Sequence, residues 1–186
     1  AGAAGIAVTK LLLLEGTGNI ILVDSQGIIC RQRKDLNSAK KEISRATNKT
    51  NISGPMATAI KEADVLIGLS QAGLFRPEHI KSMAKNPIIF AMANPVPEIM
   101  PDQAKRAGAA IVATGRSDFP NQINNVLGFP GIFRGALDNK IRKITPLMRQ
   151  RAAKNLAALI KKPTADKIIP SPFDKRVVKA VAKAIK

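Results

Sequence analysis

Hydrophobic positions along this chain follow two rhythms. Four short runs are apolar at almost every position: "IILVD" (20–24), "DVLIGLS" (64–70), "PIIFAMA" (87–93) and "AAIVATG" (109–115). A strand covered on both faces reads this way, because neither side of the pleat faces water. Between these runs the spacing is helical. Residues 1–14 predict a helix that starts at the glycines and packs through Ile6, Leu11 and Leu14. Asn37 to Asn48 predicts an amphipathic helix with Asn37 or Ser38 as N-cap. Shorter helices are predicted from about Pro55, from Pro77 to about Lys85, and from Asp102.

Buried strands alternating with helices are the pattern of an α/β fold of Rossmann-like type, a mostly parallel sheet with helices on both faces. Beyond Asn121 only helical segments are predicted, at Val126–Asn139, Thr145–Ile160 and Phe173–Ile185, with "KKPTADKIIPSP" as a linker. Residues 1–186 therefore read as one domain, and about 145–186 form its C-terminal helices. The strand ends run into "DSQG", "SQAG", "NPVP" and "GRSD". In open α/β sheets ligands bind beyond the carboxyl ends of strands, so these loops are the candidate site.

Composition narrows the picture. Cys30 is the only cysteine, which excludes a disulfide framework or a cysteine-based metal site. The run Leu11–Leu14 is too short to cross a bilayer, and no basic segment precedes it as in a secretory signal. A cytoplasmic protein without a membrane partner is the expectation. The net charge of +17 raises nucleic acid as a partner. Against it, the Lys and Arg residues are spread along the chain, Trp and Tyr are absent, and the six Phe are not interleaved with basic residues as a base-stacking platform needs.

The opening "AGAAGIA" carries the first candidate chemistry. In the dinucleotide fingerprint G-x-G-x-x-G, the second glycine lets backbone approach the pyrophosphate and the third permits close helix packing. Gly2 and Gly5 have that spacing, with Ala3 and Ala4 between them, and the helix N-terminus behind them attracts phosphate through free N–H groups. An acidic residue for the ribose belongs about 20 residues further on, at the end of the second strand. Asp24 stands there, directly after "IILV". The fingerprint's first glycine would fall one residue before Ala1. The chain thus reads as a fragment that begins inside the loop and lacks the sheet's first strand. Such a gap would bare apolar strand surface, so the isolated chain is expected to be poorly soluble or unstable; a reversible melt at high temperature would argue otherwise.

Ser25 follows Asp24 where a second acid would crowd a 2′-phosphate, and cations follow at Arg31–Lys34 and Lys40–Lys41. That favours NADP slightly over NAD, although a solvated basic loop has the same composition. Ser70 ends the second run, Asn94 follows the third, and both are candidate cofactor contacts. Either could equally be a capping or turn residue. Asn121, Asn124 and Asn125 are further amide candidates with the same alternative. Arg116 and Asp118 either pair or line the cleft. His79 reads as an exposed surface residue, and Glu98, Asp102 and Asp174 show no ligand spacing for a metal.

The stretches "AGAAGIA", "VDSQG", "DVLIGLSQAGLF", "PIIFAMANPVPEI", "ATGRSDFPNQINNVLGFPGIFRGALD" and "IIPSPFD" together resemble the NAD(P)-binding domain of malic enzymes of the short bacterial and archaeal type. The resemblance runs in order over nearly the whole chain. It implies oxidation of L-malate with NAD or NADP and a divalent Mg or Mn, decarboxylation to pyruvate, and a homo-oligomeric parent enzyme. It also implies Asn94 beside the nicotinamide and the Asn124–Asn125 pair beside the substrate. The family's acid–base Tyr and Lys and its metal-binding acids lie upstream of the glycine loop, so no catalytic or metal residue is expected here; the chain indeed contains no Tyr. Another amino-acid or hydroxy-acid dehydrogenase domain, or a basic nucleic-acid module, are the alternatives.

Overall fold

The computed structural model describes all 186 residues. Its centre is a three-stranded parallel sheet of β3 (Val65–Gly68), β4 (Ile88–Ala91) and β5 (Ile111–Thr114), in that spatial order. Val65 pairs with Ile88, and Ile88 with Ile111, so the carboxyl ends of the three strands are level. Helices α4 (Pro77–Lys81) and α5 (Pro101–Arg106) make the crossovers. They close one face through a core that includes Phe75, Ile80, Ile89, Ala104 and Val112. Both start on proline, whose fixed φ suits a first helical position and whose missing N–H is not needed there. Helix α4 ends four residues short of the predicted Lys85. Met83 turns inward at its end, and Ala84 N bonds to Ala63 O instead of continuing the helix.

Val65 and Ile67 of β3, and Leu69 just past it, remain 37–44% exposed, and β3 is an edge of the sheet. The predicted strand at 20–24 does not join it. Only Val23–Asp24 (β1) is ladder-paired, and its partner is Gly27–Ile28 (β2), antiparallel, in a tight hairpin. Ile20–Leu22 stays extended but is bonded individually: Asn48 N donates to Ile20 O at 2.7 Å and Ile29 N to Leu22 O at 2.8 Å. Of the three, Leu22 is buried as predicted, while Ile20 and Ile21 are partly exposed. Ladder pairing requires a neighbouring backbone as well, and here the neighbour is a loop. This segment forms a second small core of Leu22, Ile29, Leu36 and Ile43 under helices α1 (Ala3–Leu14) and α2 (Ser38–Ala46). In α1 it is Ile6 and Leu13 that pack there, while Leu14, predicted to be inward, is 49% exposed. Asn37 caps α2, its side chain accepting from Lys40 N at 2.9 Å. A single turn, α3 (Met56–Ile60), leads into β3.

The C-terminal third is helical as predicted, with shorter elements. A 3₁₀ turn at Asn125–Leu127 precedes α6 (Phe129–Asp138); α7 (Pro146–Ala157) and α8 (Arg176–Ala182) follow. Helix α8 begins later than the predicted Phe173, which is 91% exposed, because Asp174 accepts from Arg176 N and terminates the preceding turn. Ala152, Val181, Ala184 and Ile185 make the third core. Gly131 and Gly135 let α8 lie directly on α6.

Candidate dinucleotide-binding cleft

Gly2 is the N-cap of α1, and no side chain caps the first turn. The N–H groups of Ala3, Ala4 and Gly5 therefore point out of the helix unpaired within it. A Cβ on Gly2 would meet nothing within 4 Å, whereas one on Gly5 would stand 3.3 Å from the Ala1 methyl. Gly5 is thus bare for packing. Gly2 opens on free space, the room that backbone contact with a pyrophosphate needs.

Asp24 ends β1 at the neighbouring strand end, where its ribose role was predicted. Its carboxylate is 6% exposed and doubly held. Arg33 donates to both oxygens, at 2.8 and 3.2 Å, and Lys40 Nζ donates to Oδ2 at 2.5 Å. The Gln26 N–H adds a bond to Oδ1 at 2.9 Å. Sequence offered a run of cations; the hairpin selects Arg33, and the first turn of α2 delivers Lys40. Arg33 also pairs with Asp35, forming an acid–base–acid string. Ser25 is exposed at the hairpin tip.

Burial by itself pushes the Asp24 carboxyl up, but the hydrogen bonds from Arg33, Lys40 and Gln26 outweigh it and hold the group well below the usual carboxylate range. A folded-state pKa below the unfolded value of about 3.9 means stabilisation that is present above that value and lost as pH falls through the folded one. Asp24→Asn is therefore expected to lower stability at pH 7 by about 2–3 kcal/mol, with the deficit shrinking on acidification below about pH 4. Urea titrations at pH 7 and pH 3 check this; a deficit equal at both would refute it.

The sheet's carboxyl edge brings the remaining candidates together. Ser70 lies just past β3, and Asn94 just past β4; both are exposed. Asn124 and Asn125 follow β5, tied to it by Ile123 N donating to Thr114 O at 2.8 Å. Asn124 Oδ1 also accepts from Val126 N at 3.0 Å, capping the 3₁₀ turn, while both amides stay exposed. Asn121 is different. Its buried amide donates to Val112 O and Ala165 O and accepts from Ile168 N, stitching the linker to β5. Arg116 pairs with Asp118 at 2.7 Å and lies over the Phe119 ring. His79 is half-buried, not exposed, because Nδ1 accepts from Arg76 N and caps α4.

Sequence reasoning considered Glu98 only as a metal ligand, and the structure places it in a different position. It is fully buried between the ends of β3 and β4, Oε1 accepting from Ser70 N and Oε2 from Ala93 N, each at 2.9 Å. An acid alone within the apolar, proline-flanked "VPEIMP" was the available signal. No three or more His, Cys, Asp or Glu side chains are grouped to hold a metal, so the residues present do not fit the implied divalent ion.

A phosphate-ready helix start, an acid on the adjacent strand end and polar groups along one sheet edge define a dinucleotide-binding domain of Rossmann type. The family model for the malic enzyme NAD-binding domain matches residues 1–185. The chain belongs to that family. It is 53% identical to the bifunctional malic/malolactic enzyme of Bacillus subtilis (strain 168), with 100% of this chain aligned to 46% of that protein. It is 48% identical to an NAD-dependent malic enzyme of Geobacillus stearothermophilus (99% and 39% covered) and 43% identical to an NADP-dependent malic enzyme of Halomonas elongata (100% and 47%). The crystal structure of an NAD-dependent malic enzyme from Thermotoga maritima superposes with a TM-score of 0.92 at 45% identity, covering 98% of this chain and 48% of that one. The chain thus spans less than half the length of these relatives.

Proposed function

We propose that this chain is the NAD(P)-binding part of a malic enzyme that converts L-malate to pyruvate and CO2 with reduction of the dinucleotide. The observation that carries the reading is the convergence of the Gly2–Gly5 turn, Asp24 and the level β3–β5 strand ends in a chain of this family. Ala3, Ala4 and Gly5 bind the pyrophosphate through main-chain N–H groups, with Gly2 giving access. Asp24 and Ser25 face the adenine ribose. Ser70 and Asn94 hold the nicotinamide end, and Asn124 and Asn125 donate to malate carboxylate oxygens.

The bound nicotinamide supplies the hydride acceptor. The chain's own residues bind and orient. Side-chain amides suit this because they donate to a carboxylate without adding a titrating group beside the transferred hydride. Acid–base groups and the ligands of a divalent Mg or Mn belong to other parts of the protein. The exposed edge of β3 fits one further parallel strand, which we place upstream of Ala1, with residues 1–186 as one domain. A cytoplasmic homo-oligomer is the state we infer for the intact enzyme.

The cations on Asp24 support NADP over NAD. The Arg33, Lys40, Asp24 and Asp35 charges balance, and Lys40, which bonds no side chain but Asp24, is the cation that an incoming 2′-phosphate would meet. Assay of the intact protein with L-malate and Mn, following absorbance of the reduced nicotinamide with each dinucleotide, tests the reading. Turnover of malate with NADP preferred is expected. Turnover only with another hydroxy acid or an amino acid, or duplex nucleic acid binding without nucleotide binding, would overturn it.

A further inference from the structure

Glu98 has no role in the function described so far, and its surroundings are unusual for a carboxylate. It is 0% exposed, and none of the salt bridges involves it. Its only side-chain hydrogen bonds are the two from the Ser70 and Ala93 N–H groups. A carboxyl group in such a place is costly unless both oxygens are satisfied. Here each oxygen has one backbone donor, and the two donors follow the ends of neighbouring strands.

Those donors lie beyond the reach of the sheet itself. The β3–β4 register ends at the Gly68–Ala91 pair, with one further bond from Met92 N to Gly68 O at 3.2 Å. Beyond it the ladder stops, and Glu98 takes over with one oxygen for each segment. Its own backbone is tied to the loop after β3: Phe75 N donates to Glu98 O at 2.9 Å, and Gly73 N to Pro97 O at 3.2 Å. Gly68 makes room beneath, since a Cβ there would lie 2.4 Å from Glu98 Cδ. The Ser70 and Asn94 loops are therefore one unit, built around one buried carboxyl.

We propose that Glu98 is a positioning residue for the nicotinamide end of the cleft: its two oxygens set the separation and aim of Ser70 and Asn94. The proposal rests on the malic enzyme reading, which assigns those two residues to the nicotinamide. The adenine end, built on Gly2–Gly5 and Asp24, shares no bond with Glu98. In Glu98→Gln one oxygen becomes an NH2 group facing a backbone N–H, donor against donor, so one loop must move. Small displacements of groups that orient a reacting centre are costly to turnover.

The test uses the intact protein. Glu98→Gln is expected to lower kcat with malate by about 10- to 100-fold and to raise the dinucleotide KM. Its affinity for ADP-ribose, which lacks the nicotinamide, should stay within about twofold of wild type. Gly68→Ala, which presses on the same carboxyl from below, is expected to show the same split. An equal loss of ADP-ribose and dinucleotide affinity, or no change in kcat, would overturn the positioning role while wild-type turnover left the functional reading standing. Wild type that neither oxidises malate nor binds a dinucleotide would overturn both. Should the variants fail to fold, hydrogen exchange on wild type decides: slow exchange at Ser70 and Ala93 before any ligand is added supports the preformed clamp, and loop-like fast exchange refutes it.

Discussion

Lys40→Ala should weaken NADP binding by about 10- to 100-fold while NAD binding changes by about threefold or less. The lysine is the clean target in the Asp24 cluster. Its ammonium bonds only Asp24 Oδ2, whereas Arg33 also reaches the carbonyls of Gly27 and Ile28 and the carboxylate of Asp35. Removing Arg33 would loosen the hairpin itself, and any loss of affinity could then be structural. The Lys40 side chain is 23% exposed, so its charge reaches solvent beside Asp24, where a 2′-phosphate would meet it. A hydrogen bond to a charged group contributes about 1.5–3 kcal/mol, which corresponds to the stated range. The loss of a counter-ion also frees one lone pair of Asp24 for a ribose hydroxyl, so NAD binding has a compensating gain. Titration of each dinucleotide by reduced-nicotinamide fluorescence measures both. Equal losses for NAD and NADP would show that Lys40 acts on the fold and not on the 2′ position.

Gly135→Ala should destabilise the protein by about 2–3 kcal/mol, against the direction expected from helix propensity. In an ordinary helix interior, Gly→Ala stabilises by roughly 0.5–1 kcal/mol. At Gly135 the added Cβ would lie 2.5 Å from the Ala182 carbonyl oxygen, 2.7 Å from Ile185 Cβ and 3.1 Å from Ala182 Cα. Two of these are backbone atoms of α8, which cannot rotate away as a side-chain tip can. The helix must therefore shift as a body. Ile185, completely buried, and its neighbours Val181 and Ala184 would lose their packing. Asn139, whose side chain donates to both Gly135 O and Ile185 O, would lose one of its two anchors. Urea denaturation of the variant measures the sum. A gain in stability would mean that α8 is not seated on α6 as described.

The two effects differ in how far the sequence announced them. The glycine spacing, the apolar run ending in Asp24 and the later basic residues are local patterns, and they marked out the cofactor end proposed above. Which of several cations meets Asp24 was a question of three dimensions: the Ser25–Gln26 turn folds Arg33 back, and the N-terminus of α2 brings Lys40 across. Nothing in a one-dimensional run of Arg and Lys distinguishes these two from Arg31 or Lys34.

Hydrophobic periodicity likewise specified where the buried segments would lie, because burial depends on side-chain chemistry repeated along the chain, although Leu14, Val65 and Ile67 stay exposed. It identified β3, β4, β5 and the C-terminal helices. It could not specify pairing. Leu22 is buried and Ile20 and Ile21 are partly so, yet the ladder bonds went to a hairpin, since a ladder needs a second backbone that the run itself does not encode. Glu98 is the sharpest case. The sequence reading found no metal-ligand spacing at Glu98 and gave it no role, and only two neighbouring strand ends, with Gly68 clearing the space, gave its carboxyl two amides to accept from. The sequence by itself determined the order of elements, the glycine turn and the acid at the end of the apolar run, Asp24. The tertiary structure decided which charges meet, which strands pair and what a buried carboxyl holds, because those depend on distances between residues far apart in the chain.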